Sequence, residues 1–188
     1  MKIIIVEGIA TSGKTSVKNK IMEALTDSGK SFSVVEEENS LMPILHNTDG
    51  CVAINWLRKI INEALEKEND FIIFDRLFFT HIFRTNSAME DFREIENMVV
   101  GQALLVFLAI DEEEIPRRIA QACKHRGEEW SEYVSKKGSE TEIYQYYIEQ
   151  QRKLFELLKQ TSLEYKIYNT TNNDFDEIAK NILEFLPN

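Results

Sequence analysis

Gly8-Ile9-Ala10-Thr11-Ser12-Gly13-Lys14-Thr15 is the stretch that decides how this chain folds. It fits the pattern G-x-x-x-x-G-K-[ST], a loop whose backbone N–H groups surround phosphate oxygens. The pattern works only between a strand and a helix, and both are present. Met1 to Glu7 is short, apolar and β-branched, as a parallel strand buried on both faces should be. From Thr15 to Asp27, the residues Val17, Ile21, Met22 and Leu25 share one helical face. The loop therefore opens a helix, and a bound phosphate would lie at its N-terminus. Gly8, Ile9, Ala10, Thr11, Ser12, Gly13, Lys14, Thr15 and Ser16 are the expected phosphate-binding residues. Lys14 brings a charge to the β- and γ-phosphates of a triphosphate, and Thr15 a hydroxyl ligand for Mg2+.

Working outward, apolar runs predict strands at Lys2–Glu7, Phe32–Glu36, Phe71–Asp75, Ala103–Ile110 and Tyr165–Tyr168. Helical periodicity fills the gaps at Lys14–Asp27, Cys51–Glu68, Phe78–Val99, Glu113–Lys124, Ile143–Leu158 and Phe175–Leu186. Strand and helix in alternation imply an α/β fold, a parallel sheet with helices on both faces. The order of the strands is not readable from periodicity. In such a sheet ligands bind beyond the carboxyl ends of the strands. That directs attention to Glu7-Gly8, Glu36-Glu37-Glu38, Asp75-Arg76, Asp111 and Asn169-Thr170.

The chain has 188 residues, 43% of them hydrophobic and 29% charged, which suits one soluble domain over 1–188. Its formal net charge of −10 argues against nucleic-acid polymers and anionic membranes as partners. Cys51 and Cys123 have no metal-ligand spacing and read as reduced thiols of a cytoplasmic protein. The first apolar run ends at Glu7 with no cleavage-type segment, and no stretch approaches transmembrane length.

Phe71 to Arg76 is an apolar strand ending in an acid and a base. Asp75 there can hold Mg2+ or its water shell, and Arg76 can bind a phosphate bidentately. The plain alternative is a salt bridge closing the strand. Glu36-Glu37-Glu38 ends the preceding strand. One of these carboxylates can orient an attacking hydroxyl, while the others are solvated. Glu36 and Glu38 point to one side of an extended strand and Glu37 to the other, so the choice stays open. Glu36 is carried as the candidate catalytic carboxylate and Glu38 as an acceptor contact.

Ile115 to Gly127 is a locally basic helix in an acidic chain, followed by a polar segment from Glu128 to Ser139. This arrangement predicts a lid over roughly 117–142 that closes over phosphates. Arg118, Lys124 and Arg126 are its candidates for neutralising charge on the transferred group. Trp56, Arg58, Phe79 and Arg84, with Phe78, His81 and Phe83 nearby, are candidates for an acceptor pocket. Spaced aromatics on a helix are also what a packed core contains, and Tyr144, Tyr146 and Tyr147 are read as packing.

Together these motifs resemble the thymidylate kinase and deoxynucleoside kinase group of P-loop phosphotransferases. The resemblance rests on Glu7-Gly8 through Thr15, Asp75-Arg76, Arg117-Arg118 through Arg126-Gly127, and Asn169-Thr170-Thr171-Asn172 before the closing helix. It implies a three-layer P-loop NTPase fold with strand order 2-3-1-4-5, ATP with Mg2+, and transfer of the γ-phosphoryl group to a nucleoside or nucleoside monophosphate. Asn169 to Asn172 resembles the adenine-side loop. A small-molecule acceptor is the expected partner, and a homodimer a candidate assembly. The chain departs from thymidylate kinases in having Glu36-Glu37-Glu38-Asn39-Ser40 where an Arg-Glu-Pro-Gly-Gly type segment is usual. It departs from deoxynucleoside kinases in having Asp75-Arg76-Leu77 for a Glu-Arg-Ser type motif. The glutamates favour a hydroxyl acceptor, whereas Arg58, Arg76 and Arg84 suit an acceptor that carries phosphate. Two other functions remain to be weighed: a nucleotide-binding regulatory ATPase, and a kinase of a non-nucleoside alcohol.

Overall fold

The computed structural model describes residues 1–45 and 48–185; Leu186, the last residue of the expected closing helix, lies outside them. Five strands form one parallel sheet: β1 (Lys2–Glu7), β2 (Phe32–Val35), β3 (Phe71–Asp75), β4 (Ala103–Ala109) and β5 (Glu164–Asn169). Their order is β2-β3-β1-β4-β5. β1 is central, with Ile3 opposite Ile72 of β3 and Ala103 of β4. Buried from both sides, it has no polar face to show, hence its unbroken apolar run.

Side chains alternate along each strand and feed two cores. Ile3, Ile5, Ile72, Phe74, Leu105 and Phe107 pack on one face. They meet α3 (Gly50–Leu65), α4 (Phe78–Thr85) and α8 (Glu140–Leu158) through Leu57, Ile61, Phe78, Phe79 and Leu154. Ile4, Val6, Ile73, Leu104, Val106 and Leu108 pack on the other face. Val17, Ile21 and Leu25 of α1 (Lys14–Asp27) cover them, with Ile178 and Ile182 of α9 (Phe175–Phe185). Helices thus lie on both faces, as the alternation of elements predicts.

The differences from the expected elements have local causes. β2 stops at Val35, and the glutamates enter a short helix, α2 (Glu37–Leu41), with Glu37 and Glu38 in its first turn. Carboxylates suit the positive end of a helix. The helix expected from Phe78 to Val99 breaks at Asn86, which adopts a left-handed φ of 52°. Asparagine tolerates that cap conformation. A 3₁₀ turn (Glu90–Phe92) and a short helix, α5 (Arg93–Asn97), follow it. The basic helix is α6 (Ile115–His125), and the polar segment after it also folds, as α7 (Glu128–Ser135). Gly127 and Gly138, both at positive φ, separate α7 from its neighbours. α8 opens earlier than periodicity suggests, on a capping box between Ser139 and Glu142.

Two glycines of the phosphate loop are required by space as well as by dihedral angle. A Cβ on Gly8 would stand 2.5 Å from the Leu108 carbonyl oxygen of β4. One on Gly13, where φ is 85°, would stand 2.5 Å from Phe175 Cε1 of α9. The loop is therefore pressed between the central strands and the last helix. Gly8→Ala should lower unfolding free energy by about 1–3 kcal/mol, because the β4 backbone must shift. Denaturant titration measures this, and an unchanged midpoint would contradict the close approach.

Candidate functional site

The carboxyl ends of β1 and β3 and the N-terminal ends of α1 and α4 meet at a cleft of about 440 Å³. Lys14 lies across the phosphate loop, its Nζ donating to the Ile9 carbonyl at 3.0 Å. Its amine is pushed down to about 8 by burial first and by the Arg76 charge second, against the pull of Glu37, Asp75 and Glu7. The hydroxyls of Thr11 and Ser12 are buried and have no hydrogen-bond partner among the described residues. Such groups are costly to leave unmet, and a phosphate oxygen would meet them.

Arg76 is the hub. It stands between β3 and α4 with a φ of 67°, a strained angle for a non-glycine residue. Its backbone N–H donates to Val6 O, and its NH1 to Gly8 O at 2.7 Å and Thr80 Oγ1 at 2.9 Å. Nε faces Glu37 Oε1 at 3.0 Å. Burial opposes its charge, but Glu37, Glu7 and Asp75 outweigh burial and keep it protonated. Beneath it, fully buried Glu7 accepts from the backbone N–H of Leu77 and from the Thr80 hydroxyl. Glu7 thereby caps α4 from β1.

Glu37 is the carboxylate of its run that lines the cleft. Burial pushes it up, yet Arg76 and then Lys14 overcome that and bring it down to about 2. It is ionised across the physiological range. Glu36, carried as the catalytic carboxylate, instead turns away and pairs with Lys18 of α1, and Glu38 is exposed. The reason is the helix: once the chain turns at Glu36, alternation no longer sets direction, and consecutive residues fan around an axis. Asp75 also pairs with Lys18, at 2.8 Å through Oδ2, while its buried Oδ1 has no partner among the described residues.

The far wall comes from the helices after β4. Arg117, Arg118, His125 and Arg126 of the α6 region reach the cleft, with Trp130 and Tyr133 of α7 and Tyr146, Tyr147 and Gln150 of α8. Arg118 NH1 donates to Thr11 O at 3.0 Å, and its NH2 to the carbonyls of Thr170 and Thr171 and to Asn173 Oδ1. It thus fastens the phosphate loop to the segment before α9. Arg126 lies over Trp130 at 5.3 Å, and Arg84 over Tyr133 at 5.8 Å. Lys14, Arg76, Arg84, Arg117, Arg118 and Arg126 face the cleft, against one acid, Glu37. In a chain of net charge −10 this concentration of cations is local and opposite in sign to the whole. Such a cleft focuses field on an anion.

Of the expected residues, the structure brings together Ala10, Thr11, Gly13, Lys14, Thr15, Ser16, Arg76, Arg84, Arg118 and Arg126. Ile9 is wholly buried in the core. Of the acceptor candidates, Glu38, Trp56, Arg58 and Phe79 do not line the cleft and Arg84 does, because residue type alone does not reveal which helical face turns to the sheet. Trp56 donates from Nε1 to Asn39 O, bracing α3 against the end of α2. Arg58 spends its guanidinium on Glu94, with contacts of 2.7 and 2.8 Å. Phe79 is core, edge-on to Phe78 at 5.1 Å. His81 donates from Nε2 to Ser40 O; burial first, and the nearby arginines, hold it down at about 3, so it stays neutral. Lys124 is not among the cleft-lining residues. The sequence leaves open which of Glu36, Glu37 and Glu38 faces the cleft, and it is Glu37; Tyr146 and Tyr147 pack on the core as read, and they also line the cleft. No local signal marks this second role, because it depends on α8 passing the cleft.

No protein-family model matches the chain, and no curated protein matches its sequence. Among solved structures, it is similar to the YorR protein of Bacillus subtilis, crystallised in complex with phosphorylated GDP. The two share 19% identity, with a TM-score of 0.68, over 97% of this chain and 94% of that one. The likeness shows a common α/β fold.

The Lys14 amine gives the cleft a pH signature. Folding lowers it from 10.5 to about 8, so between those values the unfolded chain binds more protons and this group's contribution to stability rises with pH. An anion on the loop reverses the shift and draws a proton in. Calorimetric titration with inorganic triphosphate at about pH 8.5, in buffers of different ionisation enthalpy, should show proton uptake that Lys14→Met abolishes. Buffer-independent heats in the wild-type chain would contradict this.

Proposed function

We propose that the chain is an ATP-dependent phosphotransferase that moves the γ-phosphoryl group to a nucleoside or nucleoside monophosphate. The observation that carries this reading is one cleft that joins Lys14 of the phosphate loop, the Arg76–Glu37 pair and the α6 arginines. A binding loop alone needs only the first of these. The pair supplies what an acceptor needs, and the arginines supply charge where the transferred group passes.

The residues fit the donor. Thr11 and Ser12 hold unmet hydroxyls, Lys14 an adjacent cation, and the loop opens α1. They also fit Mg2+, which the Thr15 hydroxyl and the free Oδ1 of Asp75 would hold, directly or through water. When bound, the ion supplies charge neutralisation at the β- and γ-phosphate oxygens. The YorR complex with phosphorylated GDP places a nucleotide on the same fold and is in keeping with this donor class.

In the proposed reaction the acceptor oxygen forms a bond to the γ-phosphorus as the bond to the β-bridging oxygen breaks. Glu37, ionised and held by Arg76, accepts a hydrogen bond from the acceptor hydroxyl and aims its lone pair. At a carboxyl pKa of about 2 it orients the hydroxyl without storing its proton, which leaves with the transferred group. For an acceptor that already carries phosphate, Arg76 and Arg84 provide the anion contacts. Tyr133 and Tyr146 line the cleft and supply aromatic surface beside the acceptor. The segment 117–142 acts as the lid, bringing Arg126 over the phosphates and excluding water. The reading places the protein in the cytoplasm, acting on small molecules.

A panel of nucleosides and monophosphates with labelled ATP and Mg2+ tests this. At least one acceptor should gain label. Lys14→Met should then lower turnover by about a hundredfold or more, and Glu37→Gln should lower it chiefly for hydroxyl acceptors. Steady ATP hydrolysis that no acceptor redirects would overturn the proposal in favour of a regulatory ATPase. Label passing only to non-nucleoside alcohols would move the acceptor class.

A further inference from the structure

Lys18 belongs to no part of the phosphate-loop pattern. It lies on α1 one turn beyond Lys14, and its side chain is only 6% exposed. There it meets two carboxylates from separate elements: Asp75 Oδ2 at the end of β3, at 2.8 Å, and Glu36 at the start of α2. Both contacts are ion pairs, so the buried ammonium is enclosed by opposite charge on two sides. The arrangement divides the Asp75 carboxylate in two. Oδ2 is taken by Lys18, whereas Oδ1 is buried and has no partner among the described residues. The Ser40 hydroxyl donates to the Asp75 carbonyl at 3.0 Å, which fixes the backbone behind it.

Two carboxylates brought to one point by separate elements are what a divalent cation recruits. Here that point is filled by the chain's own ammonium. We propose that Lys18 is a positioning residue, an internal cation seated between Asp75 and Glu36. It leaves a divalent metal a single free oxygen of Asp75, so that metal is held only together with nucleotide phosphates. The proposal rests on the metal-and-nucleotide reading of the cleft given above. In consequence the chain does not load metal first; the ion arrives with the triphosphate. Lys18 also ties α1 to the start of α2, which carries Glu37 into the cleft.

Electron paramagnetic resonance of Mn2+ with the full chain tests this without any transfer reaction. Nucleotide-free wild-type protein should bind Mn2+ weakly, and addition of ADP should tighten binding at least about tenfold. Lys18→Met releases both carboxylates, so the nucleotide-free variant should bind Mn2+ at least about tenfold more tightly than wild type. Lys18→Arg should restore weak binding, and Lys18→Met with Glu36→Gln should lose the gain. Circular dichroism checks folding; if Lys18→Met does not fold, Lys18→Gln carries the same comparison. Equal Mn2+ affinity in wild type and the uncharged variant would overturn the proposal, as would tight Mn2+ binding by the nucleotide-free wild type. Failure of the phosphotransferase reading would appear instead in the acceptor panel, with these spectra unchanged.

Discussion

Arg76 ties together the strand, loop and helix ends that form the near side of the cleft. Its guanidinium reaches the Gly8 carbonyl of the phosphate loop, Thr80 of α4 and Glu37 of α2, while its backbone N–H completes the pairing of β3 with β1. The left-handed backbone there is the cost of aiming one side chain at three elements. Strain of this kind persists only where surrounding contacts over-determine it. Glu7 does so from below, by accepting from Leu77 and Thr80. Remove the Arg76 charge and Glu37 loses the partner that keeps it ionised and in place. The phosphate loop would also lose its anchor to the neighbouring strand.

The electrostatic design is one of contrast. An acidic chain encloses a cleft lined by lysine and arginine, and three of the carboxylates near it pair with cations, while Glu7 is met by the Leu77 N–H and the Thr80 hydroxyl. Glu37 faces Arg76, and Asp75 and Glu36 face Lys18. Such pairing keeps positive side chains apart at short range while leaving their field open to a multiply charged ligand. The Lys14 amine is brought down to about 8, because burial and then Arg76 outweigh Glu37, Asp75 and Glu7.

Much of the fold was legible because its signals are local. The phosphate loop is a contiguous pattern, and the buried strands announce themselves as apolar runs. Strand order came from the resemblance, since periodicity carries no information about neighbours. The site was legible where a residue's position on the backbone dictates its direction, as for Lys14 and Arg76 at strand-to-helix junctions. It was illegible where a one-residue change of element rotates the side chain. Glu36, Glu37 and Glu38 depend on whether β2 continues or a helix begins, and the helix begins. Trp56 and Arg58 have suitable chemistry on the wrong face, engaged by Asn39 and Glu94. Tyr146 and Tyr147 required knowing that α8 passes the cleft, a tertiary fact.

The central claim is that the Arg76–Glu37 pair and the phosphate loop form one phosphoryl-transfer site. The most direct test is phosphorus NMR of the chain with ATP, Mg2+ and an acceptor that binds, run on wild type and Arg76→Ala. A new phosphate-ester or acceptor-diphosphate resonance should grow in step with ADP for the wild type and be lost in the variant. Inorganic phosphate as the only product in both would contradict the account.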